Sequence, residues 1–422
     1  MATTADDDAT KKGSRRRLSR PERRLLALLG LPSLGLAYTV TVTSTYVPVL
    51  VAQTSGPLMV GLLVGGEGFF GLFIPLLVGS WADRSRVVSG RLRWLGGGAV
   101  LLVAATGAVG LLGLFSVGVW GFGVALSLLY IGYYAYLGPY WALYPDLVPH
   151  DQSGRSRSAE STWRVIGVGL ALIGGGFLLS VSRGLPFFVA GVFVVLVTLV
   201  LLYGLRGRRK DAVEEHGQGR QDVSGVRELL RDRSIRRLVI ANSLWNLALS
   251  AVRAFVVLFF TIGLGKPPSF VSSFIFPLAA VGIGVAAPAS GWLADRFGHV
   301  RLLTAALVVY GGTMWIPGVF EYPWEAVLIP IVAAGAATVM TLPLAVLMRL
   351  LPDDKHGAAS GLFGLSRGVG GTFGPLLAGA AIMLLRHPLA STHGYGALWF
   401  VGSAALLVSI VFLRGLAGDD RL

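Results

Sequence analysis

Apolar stretches of about 20 residues recur along nearly the whole of this chain, and that is the length a helix needs to cross the hydrocarbon of a bilayer. In hydrocarbon no water is present to satisfy backbone N–H and C=O groups, so only helices and closed barrels span it. Barrel strands are about 10 residues long and alternate in polarity; these segments do neither. The reading is an all-α membrane protein with twelve transmembrane helices. The expected spans are 25–52, 57–81, 94–116, 117–145, 160–182, 186–205, 235–262, 268–293, 300–320, 324–350, 357–385 and 394–414. The third and fourth run together almost without a polar break, and their turn is placed near Ser116. Composition agrees: of 422 residues 54% are hydrophobic and 14% charged, too little charge to cover the surface of a soluble protein.

The net charge of +14 does not indicate nucleic-acid binding, because the basic residues sit almost entirely in short segments between apolar runs. Those on one side of the expected spans hold nearly all the lysines and arginines, against Arg183, Lys266 and Arg386 on the other. By the positive-inside rule both termini are then cytoplasmic, and the protein belongs in the inner membrane of the cell. The basic cytoplasmic loops suit anionic lipid headgroups. The chain divides into an N-terminal tail (1–24), apolar blocks at 25–205 and 235–414, a polar linker (206–234) and a C-terminal tail (415–422). The linker is read as a connector with some helix along Val226–Asp232. The basic run Arg15–Arg24 imitates the start of a secretory signal, but the apolar stretch after it is too long and lacks a small-residue cleavage site, so an uncleaved first helix is expected. There are no cysteines, which excludes disulfides and thiolate metal sites.

The two apolar blocks repeat one another. Gly79-Ser-Trp-Ala-Asp83-Arg84 follows the second span, and Gly291-Trp-Leu-Ala-Asp295-Arg296-Phe-Gly298 follows the eighth, 212 residues later. Pro149–Gly154 and Pro352–Gly357 form a second pair at an offset of 203, a register that also aligns Arg164 with Arg367. Two six-helix repeats are a transporter architecture. The motif Gly-x-x-x-Asp-Arg-x-Gly at these places resembles the signature of the major facilitator superfamily. The first copy departs from it, with Arg86 in place of the last glycine. The longer loop through Arg91 and Arg93, with Pro145-Asp146-Leu-Val-Pro149, resembles the sugar–cation symporter branch, which includes glycoside carriers.

The resemblance implies two halves that pivot about a central site. On that basis Gly79, Asp83, Arg84, Gly291, Asp295 and Arg296, with Arg164 and Arg367, form a cytoplasmic gate, Asp83 meeting Arg367 and Asp295 meeting Arg164 near helix N-termini that favour an anion. The alternative is that both arginines serve lipid phosphates or local carboxylates such as Glu160. Ionisable residues deep in a membrane are functional suspects, and here they are Glu67 and Arg253. They form an outer gate, a proton-carrying site, or a static ion pair. No histidine lies within a span, so a histidine relay is not expected.

The resemblance also implies a substrate cavity lined by spans 1, 4, 7 and 10. Candidates are Tyr38, Thr41, Thr45, Tyr133, Tyr136, Asn242, Trp245, Asn246, Thr338 and Thr341. Tyr38, Thr41 and Thr45 share one helix face, as do Tyr133 and Tyr136. Hydroxyls and amides beside aromatic rings suit a neutral polyhydroxyl solute, and equally an aromatic or cationic drug. The competing assignment makes the tyrosines an interfacial belt and the threonines bonded to their own helix carbonyls. The functional expectation is proton-coupled movement of a small polar solute such as a sugar or glycoside by a monomer. Proton-coupled drug or metabolite efflux is the first alternative and a non-transporting receptor or scaffold the second. No metal cluster, nucleophile with a base, or phosphate loop suggests an enzyme, and no cofactor beyond a coupling proton is expected.

Overall fold

The computed structural model describes residues 19–82, 88–115, 118–149, 152–208, 228–320, 324–351 and 356–416. Its long helices are α1 (Arg20–Val51), α2 (Pro57–Ala82), α3 (Val88–Leu114), α4 (Val119–Leu147), α5 (Ser153–Val181), α6 (Leu185–Gly204), α7 (Arg233–Leu258), α8 (Pro268–Phe297), α9 (His299–Met314), α10 (Trp324–Leu350), α11 (His356–Leu384) and α12 (Ala397–Arg414). Among the described residues, 11 helical stretches are long and apolar enough to cross a membrane. The further helix, α11, has 29 residues but is diluted by glycine and interrupted by Arg367.

Several helices start before the apolar runs do, because a first turn outside hydrocarbon is polar and is fixed by capping. The Ser19 side chain accepts from Glu22 N–H and the Glu22 carboxylate accepts from Ser19 N–H, which starts α1 at Arg20 instead of 25. Asp232 caps α7 through the N–H groups of Ser234 and Ile235. α3 begins at Val88, which takes Arg91 into the helix, where it pairs with Asp146 and donates to the Ala142 carbonyl of α4. The third-to-fourth junction falls between Leu114 and Val119, around the expected turn. α8 ends at Gly298, whose φ of 88° is strained for any residue with a Cβ. The final glycine of the second motif copy thus has a backbone reason: it turns the chain sharply from α8 into α9. Asp83, Arg84 and Arg86 of the first copy, and nearly all of the linker, lie outside the described residues.

α1–α6 pack chiefly among themselves, as do α7–α12. The two groups meet along α2–α11, α1–α7 and α5–α8. The α2–α11 seam is built on glycine. A methyl on Gly61 would fall on the Pro375 carbonyl, one on Gly68 would fall on Thr372 N, and one on Gly65 would sit 2.7 Å from the Thr372 carbonyl oxygen. Apolar side chains gain nothing by leaving lipid for a neighbouring helix, so close backbone approach is what joins helices here. The seam runs from Pro57 against Gly379 to Leu72 against Gly368. Beyond Gly368 toward the basic end, Gly364 of α11 has no atom of the described residues within 4 Å of where a Cβ would lie.

The opposite end is shut. α8 begins with a short turn and a π-helical turn, Val271–Ile275. There Ser272 meets the Tyr46 hydroxyl of α1 at 2.9 Å, and that hydroxyl also donates to the Leu172 carbonyl of α5 at 2.8 Å. Gly176 of α5 abuts Pro268 and Ser272.

Gly68→Ala therefore lowers the melting temperature in detergent, since overpacking costs about 1–3 kcal/mol. Gly96→Ala, placed where nothing lies within 4 Å, leaves the midpoint unchanged or raises it through helix propensity of about 1 kcal/mol. Equal midpoints for the two variants would remove the seam from the account.

Candidate functional site

The chain carries charge into the middle of its helices at few places. Glu67 is the eleventh residue of α2, and Arg253 lies near the far end of α7. The structure brings them together: Arg253 Nη2 donates to Glu67 Oε2 at 2.6 Å, tying one helix group to the other. The Glu67 side chain is 6% exposed and that of Arg253 31%. Aromatic residues of α4 close over the glutamate. The Tyr134 hydroxyl donates to the Glu67 carbonyl at 3.1 Å, and that of Tyr130 to the Leu63 carbonyl at 3.4 Å. Tyr133 stands edge-on to Tyr134, with ring centroids 5.0 Å apart.

Arg164 and Arg367 lie at this central level and not at a gate. In α5–α8 packing Gly176 is level with Ser272. Counting toward the basic end, Arg164 is 12 residues from that level and Asp295 is 23. At 1.5 Å per residue the two are about 16 Å apart along the helix axes. In the α2–α11 seam Leu72 is level with Gly368, so Ala82, where α2 ends, lies about 15 Å beyond Arg367 by the same rise. The expected Asp295–Arg164 contact is corrected on this geometry. Arg164 donates to Glu160 at 2.8 Å, one turn away on its own helix, and Arg157 to the same carboxylate at 3.1 Å. The Asp83–Arg367 pairing falls partly outside the described residues, but the register sets the end of α2 far from Arg367. Asp295 is exposed, and Arg296 lies over the rings of Trp292 and Phe297. Gly79 and Gly291 stand at the basic ends of α2 and α8.

Arg367 is exposed although it is the twelfth residue of a 29-residue helix. Among the described residues its guanidinium has no hydrogen-bond or ion-pair partner. It lies within electrostatic reach of Tyr133, Tyr134 and Glu67. Tyr133, partly exposed, is within reach of Arg367, Glu67, Arg164 and Arg253 together. Within this cluster Arg164 and Arg367 are exposed and Tyr133 is partly so, whereas Glu67 is nearly buried against Arg253.

Most of the expected cavity residues are elsewhere. Tyr38 is buried edge-on against Phe193 of α6 at 4.8 Å. Thr41 and Thr45 are buried in α1. The Tyr136 hydroxyl accepts from Thr198 of α6. Trp245 donates to Ser409 of α12 at 2.7 Å, and Asn242 to Ser366 of α11. Thr338 and Thr341 bond back to the carbonyls of Ala334 and Ala337, and Thr341 also meets Ser290 of α8. Of these side chains, Tyr38, Tyr136, Asn242, Trp245 and Thr341 contact a neighbouring helix of their own group. Shared spacing shows that residues occupy one face, not which neighbour that face meets. Tyr133 and Asn246 remain partly exposed, Asn246 donating to the Asn242 carbonyl at 2.8 Å. Tyr130 and Tyr134 also belong to the aromatic residues that the fourth span offers; at i, i+4 spacing they share a second face of α4, and that face covers Glu67. No group of residues suited to a metal ion occurs among the described residues.

The family model of the Major Facilitator Superfamily matches residues 33–375 and 268–420. The chain is similar to the multidrug resistance protein MdtG of Dickeya zeae, 27% identical over 280 residues, covering 64% of this chain and 65% of that protein. It is also similar to the multidrug export protein EmrB of Haemophilus influenzae, 33% identical over 97 residues, 22% of this chain and 19% of that one. The match thus spans about two thirds of the length of MdtG. In three dimensions the chain resembles an inward-facing, occupied bacterial homologue of the human lysosomal transporter Spinster, with a TM-score of 0.75, 16% identity, and coverage of 95% of this chain and 98% of that one. The nucleoside transporter NupG gives a TM-score of 0.73 at 14% identity, covering 94% and 98%. The chain belongs to the Major Facilitator Superfamily, and is an integral inner-membrane protein of that transporter family and not an enzyme.

Proposed function

We propose that this protein is a proton-coupled secondary transporter that works by alternating access and exports an organic solute. The observation that carries the reading is the Glu67–Arg253 pair, which ties the two helix groups together at mid-depth. In this reading α11 is the twelfth span, and α1–α6 and α7–α12 are the two six-helix repeats. Both termini and the basic loops are cytoplasmic. The state described here is then inward-open, with Tyr46–Ser272 and the α2–α11 seam closing the outside. Support for export over uptake of a sugar comes from the relatives, which are named for multidrug resistance and export.

Opening the outside separates α2 from α7 and breaks the ion pair. Leaving one member of a buried pair uncompensated costs about 3–5 kcal/mol. A proton on Glu67 cancels the carboxylate charge, so protonation shifts the population toward the outward-open state. Re-forming the pair requires the carboxylate, so the proton leaves as the inward-open state returns. The seam glycines let α2 and α11 move past one another without leaving contact.

Three outcomes follow. Glu67→Gln or Arg253→Gln alone destabilises the purified protein by about 3 kcal/mol, the low end of the range for a broken buried pair because Arg253 is partly exposed. The double variant recovers most of that loss in a thermal melt; additive losses would show that the pair is not coupled. In everted vesicles, substrate-driven dissipation of a pH gradient is expected from the wild type and is abolished by Glu67→Gln. Gradient dissipation that survives this substitution would exclude Glu67 as the coupling group. The chain has no cysteine, so Gly176→Cys with Ser272→Cys introduces a pair free of background. Oxidation locks the outside shut and reduces transport to near zero, and reduction restores it.

A further inference from the structure

Three arginines reach the middle of the helices, and two have local counter-ions: Arg253 is paired with Glu67, and Arg164 with Glu160. The third, Arg367, has none among the described residues, yet is exposed at the centre of the molecule. A charge at that depth is costly unless it faces water or a counter-charge, so its exposure is the ground for placing a wet space between the helix groups at this level. Within the helices α7–α12 the acidic residues are Asp295 and Glu325, both toward helix ends, and Glu321, Asp353 and Asp354 fall in the connections between helices. The two carboxylates of α1–α6 near this level, Glu67 and Glu160, are nearly buried and already hold arginines. Among the described residues, a cationic solute entering this space meets an unpaired positive charge and no free carboxylate. An anionic solute meets a planar donor fork suited to a carboxylate, phosphonate or sulfonate, with the partly exposed Tyr133 ring beside it for an apolar body.

We propose that Arg367 is the anion-recognition residue of the central space and that the solute is an organic anion carrying an aromatic or apolar group. This rests on the space being the transport path. It replaces the gate role the sequence suggested for Arg367, whose position is about 15 Å too deep along α11 by helix register. The anionic group comes either from a water-soluble solute or from a lipid headgroup entering sideways; the chemistry at Arg367 is the same.

The test is equilibrium binding to the full chain in uncharged detergent, read as the dose-dependent rise in melting temperature. The probes are phenylphosphonate, benzenesulfonate, benzyl alcohol, benzyltrimethylammonium and a short-chain phosphatidic acid. The anions are expected to stabilise the wild type and the quaternary ammonium not. Arg367→Gln weakens anion binding roughly tenfold to hundredfold, the loss of a charge-assisted contact, and Arg367→Lys recovers part of it. Because Arg367 has no structural partner, the unliganded midpoint of Arg367→Gln stays at the wild-type value. Tighter binding by phosphatidic acid than by phenylphosphonate, with the same dependence on Arg367, assigns the anion to a lipid; the reverse order assigns it to a soluble solute. Anion binding unchanged in Arg367→Gln, preference for the quaternary ammonium, or no stabilisation by any anion overturns the proposal. Binding is read without transport. A chain that binds anions through Arg367 but moves nothing refutes export alone, whereas proton-coupled movement of cations refutes this assignment alone.

Discussion

Lipid is as apolar as a leucine side chain, so helices in a bilayer are not driven together by hiding apolar surface. What joins them is close backbone approach and the pairing of polar groups that have no water to turn to. Both operate at one place here. Gly61, Gly65 and Gly68 bring α2 against α11, and Glu67, in the midst of that glycine run, reaches α7 through Arg253. The seam is therefore tight without being anchored by large interlocking side chains. One of the polar ties across it depends on a carboxylate that a proton can neutralise.

The distribution of charge follows from the same constraint. A guanidinium in the middle of a helix persists where it has a partner or faces a wet space, and the three central arginines divide along that line. Arg253 and Arg164 are held by glutamates, and Arg367 is exposed with no such partner among the described residues. Tyr133 lies where all three fields overlap. By contrast, Arg91 and Asp146 form a tie between α3 and α4 near the basic end, well away from this cluster, and fix the packing within one group. The same residue type thus serves a packing role at a helix end and a polar, water-facing role at mid-depth.

The ends of the helices were less legible than their middles. Apolar runs mark hydrocarbon, whereas a helix also includes polar turns beyond it, as at Ser19–Glu22 and at Val88–Arg93. Glu67 and Arg253 were legible because an ion in the middle of an apolar run is expensive wherever it points. Tyr38, Tyr136 and Trp245 were not, because an aromatic residue with a polar tip is equally at home lining a cavity or bonded to the next helix. Only their neighbours Phe193, Thr198 and Ser409 decide between the two. The common offset aligns Arg164 with Arg367 in sequence, but an offset says nothing about the depth of either relative to the motif aspartates.

By itself the sequence determined the class of solvent this chain folds in, the order of its apolar runs, the recurrence of its two short motifs, and the two charged residues most costly to bury. Each depends on composition within one segment or on comparison of two segments, and linear order preserves both. Only the tertiary structure decided that Glu67 holds Arg253, which end is closed, and that Arg367 stands unpaired among the described residues while most of the hydroxyls and rings expected beside it are buried within one helix group. Those facts depend on the axial register and rotation of one helix against another. That register is set by where glycines permit contact along the whole α2–α11 seam, which no single segment encodes.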